Sequence, residues 1–80
     1  MKIKQAVGER IIELCRERNL AINALANNAG VPASTLKSIV NKGSDNPGIK
    51  TIKKICDGFE ITITEFFDTS VFRLLEQEIE

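Results

Sequence analysis

Apolar residues recur along this chain at helical spacing, interrupted by short clusters of turn-forming residues. Val7, Ile11, Leu14, Cys15 and Arg18 share one stripe and predict a first helix over residues 3–18. Ile12 lies off the centre of that stripe. Gly8 lowers helix propensity, which predicts either a frayed first turn or close approach of a neighbour. Asn19 can take the left-handed conformation that stops a helix. A short second helix is expected over residues 22–28, with Leu25 and Ala26 inward, and Ala24, Ala26 and Ala29 admitting a close partner. Being short, it must be held by packing. Gly30 can reverse the chain with a positive φ, Val31 can plug the resulting angle, and Pro32 suits the first turn of a third helix. That helix is predicted over residues 33–41, with Leu36, Ile39 and Val40 inward and Ala33, Ser34, Lys37, Ser38 and Asn41 outward.

The stretch NKGSDNPG, residues 41–48, is dense in turn formers and closes the third helix. A fourth helix follows, with Ile49, Ile52, Ile55, Cys56 and Phe59 on its buried side and Lys50, Lys53 and Lys54 on its other faces. Ile61 and Ile63 then alternate with Thr62 and Thr64, a strand-like period. A lone strand would have nothing to pair with, so the segment reads as a loop. It leads into one capped turn, Thr64 to Phe67, that sets two phenylalanines on the core. A last helix over residues 70–79 shows Val71, Phe72, Leu74, Leu75 and Ile79 among acidic residues. It either packs back on the body with one face or uses its spare apolar edge to form a dimer.

Eighty residues predict one domain, and 42% hydrophobic with 28% charged residues is an ordinary globular composition. No apolar stretch approaches the ~20 residues that span a bilayer. The leading Met1-Lys2-Ile3-Lys4 does not open a signal-peptide core, so a cytoplasmic location is expected, away from membranes. Cys15 and Cys56 sit on apolar helix faces, and the chain has no histidine to complete a common zinc set. They read as reduced core residues, with no metal and no cofactor. Neither cysteine has a nearby base and the carboxylates lie on solvated helix faces, which argues against an enzyme.

The formal net charge of zero hides a gradient: residues 1–30 carry +2, residues 31–54 carry +4 and residues 55–80 carry −6. Lys37, Lys42, Lys50, Lys53 and Lys54 make the middle third basic, which favours an anionic partner.

Leu25-Ala26, the turn Ala29-Gly30-Val31, Asn46-Pro47, the isoleucine-rich fourth helix and Phe66-Phe67 stand at matching distances, and together they carry a resemblance. Residues 20–67 resemble the helix-turn-helix domain of the Cro and phage-repressor (XRE) family of bacterial transcriptional regulators. The resemblance implies an all-α fold: a compact five-helix, lambda-repressor-like DNA-binding domain with a C-terminal helix. It implies a third helix in the major groove of double-stranded DNA. Ala33, Ser34, Thr35, Lys37 and Ser38 would face the bases, while Asn23, Asn41, Lys42, Ser44, Lys50 and Thr51 would touch the phosphate backbone. The expected role is transcriptional regulation as a homodimeric repressor. The alternative is the same fold kept as a protein-interaction module, or as an antitoxin-like partner, working through the acidic C-terminal helix.

Two departures from the family pattern carry information. Where the family often places Ser or Thr followed by Gln before the second helix, this chain has Ala21 and Ile22. That weakens the cap by about 1 kcal/mol and removes a glutamine contact to phosphate. Where many members pair a buried Arg with a Glu, this chain has Cys15 and Val40. Replacing both halves of a buried ion pair with apolar groups can be neutral or stabilising, so Cys15 and Val40 are expected to touch.

Overall fold

The computed structural model describes residues 1–42 and 46–77, with Lys42 described by its backbone alone. Its order is α1 (Ile3–Glu17), α2 (Ile22–Ala29), α3 (Ala33–Lys42), α4 (Ile49–Phe59), α5 (Ile63–Phe67) and α6 (Ser70–Arg73). No strand occurs among the described residues.

The apolar stripe of α1 forms one wall of the core: Val7, Ile11, Leu14 and Cys15 are buried there with Leu25, Leu36, Ile39, Ile55, Cys56 and Phe66. Arg18 departs from the expected inward stripe. It is exposed, its guanidinium 5.6 Å from the centre of the Phe59 ring, where the π face attracts a cation. Cys15 is buried and Val40 is half-buried against the same cluster.

Two glycines set how closely the helices approach. A Cβ on Gly8 would stand 2.6 Å from the Ile39 carbonyl oxygen and 3.3 Å from the Val40 Cα, so α3 rests on the bare backbone of α1. On α4, a Cβ on Gly58 would meet the Ala29 Cβ at 2.9 Å, which seats α4 against the small residues of α2.

Three helices end in the same hydrogen-bonded reversal. Asn19, Gly30 and Glu60 have φ of 52°, 69° and 61°. The next N–H in each case returns to a carbonyl five residues back: Leu20 to Cys15 (2.8 Å), Val31 to Ala26 (3.1 Å) and Ile61 to Cys56 (3.0 Å). This pairing satisfies carbonyls that the helix itself leaves open. Gly30 adopts the conformation without a Cβ penalty.

The cap of α5 is Thr62, not Thr64. The Thr62 hydroxyl accepts from the Glu65 N–H, and the Glu65 carboxylate accepts from the Thr62 N–H at 2.9 Å, a reciprocal capping box. Phe66 is fully buried, and half-buried Phe67 meets it edge to face at 5.0 Å between ring centres. Phe72 from α6 meets Phe67 at 4.8 Å.

The last helix is shorter than predicted and ends at Arg73. A short helix is marginal alone, and carrying it on to residue 79 would put glutamates in its last turns, where they oppose the helix dipole. Beyond it, Glu76 pairs with the Met1 amino group at 2.9 Å, and the Glu76 N–H donates to the Met1 carbonyl. Leu74 is 80% exposed, and Ile79 lies outside the described residues. Ile49, expected on the buried side of α4, is 67% exposed, because as the first residue of the helix it projects past the end of the core.

Candidate nucleic-acid interface

The α2–α3 unit is built to present one helix face. Leu36 and Ile39, both at 0% exposure, anchor the inner side of α3, and Val31 is buried in the angle after Gly30. The Pro32 carbonyl accepts from the Thr35 and Leu36 N–H groups, so α3 starts directly after the proline. With that inner side fixed, Ser34, Lys37, Ser38 and Asn41 are left exposed on the outer side.

The predicted base-facing residues divide on the structure. Ser34, Lys37 and Ser38 share the exposed face, whereas Ala33 and Thr35 are half-buried. Ala33 was expected to point outward, but it packs on the core cluster because a methyl group at the start of α3 fits against the apolar interior. Of the backbone candidates, Asn23, Asn41 and Lys50 are exposed and Thr51 is half-buried. Lys42 ends α3, its side chain outside the described residues, and Ser44 lies outside them too.

The electrostatics of this surface are set by which cations are already engaged. Lys53 pairs with Asp57 one turn along α4, while exposed Lys37, Lys50 and Lys54 have no ion pair among the described residues. Ala21 caps α2 and Gly48 caps α4, and neither supplies a side-chain hydrogen bond to the first-turn N–H groups. Open N–H groups at a helix start carry the positive end of the dipole and suit an anion.

Burial pushes both the Cys15 and Cys56 thiols up, leaving them poor nucleophiles. No group of three or more potential metal-ligating side chains comes together among the described residues. No helix among them is long and apolar enough to cross a membrane.

Sequence reasoning missed Arg10. Its guanidinium donates to the Phe66 carbonyl at 2.7 Å and the Glu65 carbonyl at 2.9 Å, and pairs with Glu13. It thereby ties the end of α5 to α1. Nothing in the local pattern around Ile11 signals a partner more than fifty residues away.

A short helix, a reversal on a left-handed residue and a second helix with a polar outer face define a helix-turn-helix protein. The chain belongs to the Cro/C1-type helix-turn-helix DNA-binding domain family, whose model matches residues 10–70. It is 40% identical over 60 residues to the HTH-type transcriptional regulator SlrR of Bacillus subtilis (strain 168). That match takes in 74% of this chain and 40% of the regulator, so the chain spans well under half of its relative's length. Among solved structures, prophage Lp1 protein 11 superposes with a TM-score of 0.79 at 34% identity, over 94% of this chain and all of that one. A point mutant of the restriction-modification controller protein C.Esp1396I superposes with a TM-score of 0.82 over 98% of this chain and all of its own. At 21% identity it speaks for the fold alone.

Proposed function

We propose that this protein binds specific sequences in double-stranded DNA as a cytoplasmic transcriptional repressor. It acts as a homodimer whose two α3 helices enter successive major-groove segments about 34 Å apart. The observation that carries this reading is the outer face of α3: Ser34, Lys37, Ser38 and Asn41 are exposed while Leu36 and Ile39, on the same ten-residue helix, are fully buried. Lys37 and Lys50 supply charge for phosphates, and the uncapped starts of α2 and α4 supply N–H groups. Ser34 and Ser38 are short and lack the paired donors of Arg, or the donor and acceptor of Gln, that discriminate a base by ~1–3 kcal/mol. Hydroxyl contacts and the shape of the duplex therefore carry much of the specificity.

Selection from a random duplex pool is the direct test. A single enriched palindrome supports both sequence recognition and two-fold symmetry; a pool that stays random overturns the reading. On the selected duplex, affinity should fall steeply with salt. Lys37→Glu should lower it further and flatten the log–log salt slope by about one for each phosphate no longer neutralised.

A further inference from the structure

Outside α2 and α3, residues of α1 and α6 line an open groove of about 540 Å³. Its apolar lining is Ile12 and Val71, both half-buried. Glu9, Glu13 and Glu17 follow one another at four-residue intervals along its rim, a rise of about 6 Å between carboxylates. Like charges at this spacing destabilise a helix, and among the described residues only Glu13 of the three is held in an ion pair. Arg10 is turned inward to the α5 carbonyls and pairs only with Glu13. Glu9 and Glu17 carry no ion pair among the described residues. Arg16 is the remaining cation on the lining, at the Glu17 end.

We infer that this groove docks a basic amphipathic helix of a partner protein, with lysines or arginines at four-residue intervals against Glu9, Glu13 and Glu17 and an apolar side chain between them on Ile12 and Val71. A helix in a groove anchors through such spaced side chains, and opposite charge selects the partner and its register. A nucleic acid does not suit a rim of carboxylates. A second copy does not suit it either: antiparallel pairing of two α1 helices about Glu13 sets Glu9 against Glu17 of the copy. The groove's lining residues are on α1 and α6 and include none of the residues on the exposed face of α3. The inference stands independently of whether that face reads DNA.

The test uses the full chain and two synthetic peptides of identical composition, one with lysines and leucines arranged on a helix and one scrambled. The helical peptide should shift the backbone amide NMR signals of residues 9–17 and Val71, and the scrambled peptide should bind at least tenfold more weakly. Replacing Glu9→Lys and Glu17→Lys together should cut binding of the helical peptide at least tenfold. The replaced side chains are exposed, so the circular dichroism spectrum and duplex binding should persist. Equal binding of the scrambled peptide overturns the inference, as do shifts confined to residues outside the groove, affinity indifferent to the two substitutions, or a free protein that self-associates through this face.

Discussion

The backbone of Gly8 lies under the carbonyl of Ile39, so near that a Cβ on Gly8 would stand 2.6 Å from that oxygen. A residue on the first helix thus sets the seat of α3. Gly8→Ala should therefore destabilise the protein by about 1–3 kcal/mol through overpacking, although alanine is the better helix former by about 1 kcal/mol. Urea unfolding measures this directly. An unchanged or raised midpoint would show that α3 can slide away at no cost.

Arg10 should behave as a structural tie. Its side chain is 11% exposed and donates to the carbonyls of Glu65 and Phe66 at the end of α5, the second of these bonds being partly buried. Arg10→Ala is expected to cost about 1.5–3 kcal/mol, the range for hydrogen bonds to a charged group. Amide exchange should quicken first in α5. Arg10→Lys should recover part of the loss, because an ammonium reaches one carbonyl and lacks the fork.

Acid should loosen the same region. The Thr62 backbone N–H, and after it the Thr62 side chain, hold the Glu65 carboxyl below the usual carboxylate range. A group depressed in the folded state adds stability above its unfolded pKa, about 4.3 for a glutamate, and loses it as pH falls through the folded value. Stability should thus decline below about pH 4.3, and Glu65→Gln should remove part of that decline. Denaturant midpoints between pH 3 and pH 6, compared for the two proteins, give the check.

The start of α2 offers the opposite change. Ala21 caps it without a side-chain bond, so Ala21→Ser should add about 1 kcal/mol. For a domain of this size that is a rise in Tm of roughly 4–8 °C. A thermal scan that shows no rise would mean that the introduced serine leaves its hydroxyl in water.

Most of the helices were legible from apolar spacing because packing obeys the same period. Leu36 and Ile39 on α3, and Ile52, Ile55, Cys56 and Phe59 on α4, are buried where that period puts them. The failures have specific causes. Ile49 matches the α4 stripe but sits beyond the end of the core, and periodicity does not say where a core stops. The apolar run through Leu74 and Leu75 predicts a longer helix, yet α6 ends at Arg73; carried on to residue 79 it would close among glutamates that oppose its dipole. Thr62 and Thr64 are both plausible caps in isolation; Glu65, three residues after Thr62, decides between them. At the interface, the exposed polar positions of α3 were readable. The inward lean of Ala33 was not, because a methyl group suits water and core almost equally. Arg10 was invisible because its acceptors are backbone atoms of a distant segment.

The reversal at Gly30 has a mechanical consequence. Val31 is bonded back to Ala26 and buried in the angle, and the Leu36 N–H is bonded to Pro32, one residue later in the link. Helices α2 and α3 are therefore joined with little play, and the pair works as a gauge of fixed width. When such a gauge meets a duplex, the adjustment falls on the double helix. On the proposed function, operators that bend or narrow cheaply should be preferred even at base pairs no side chain reaches.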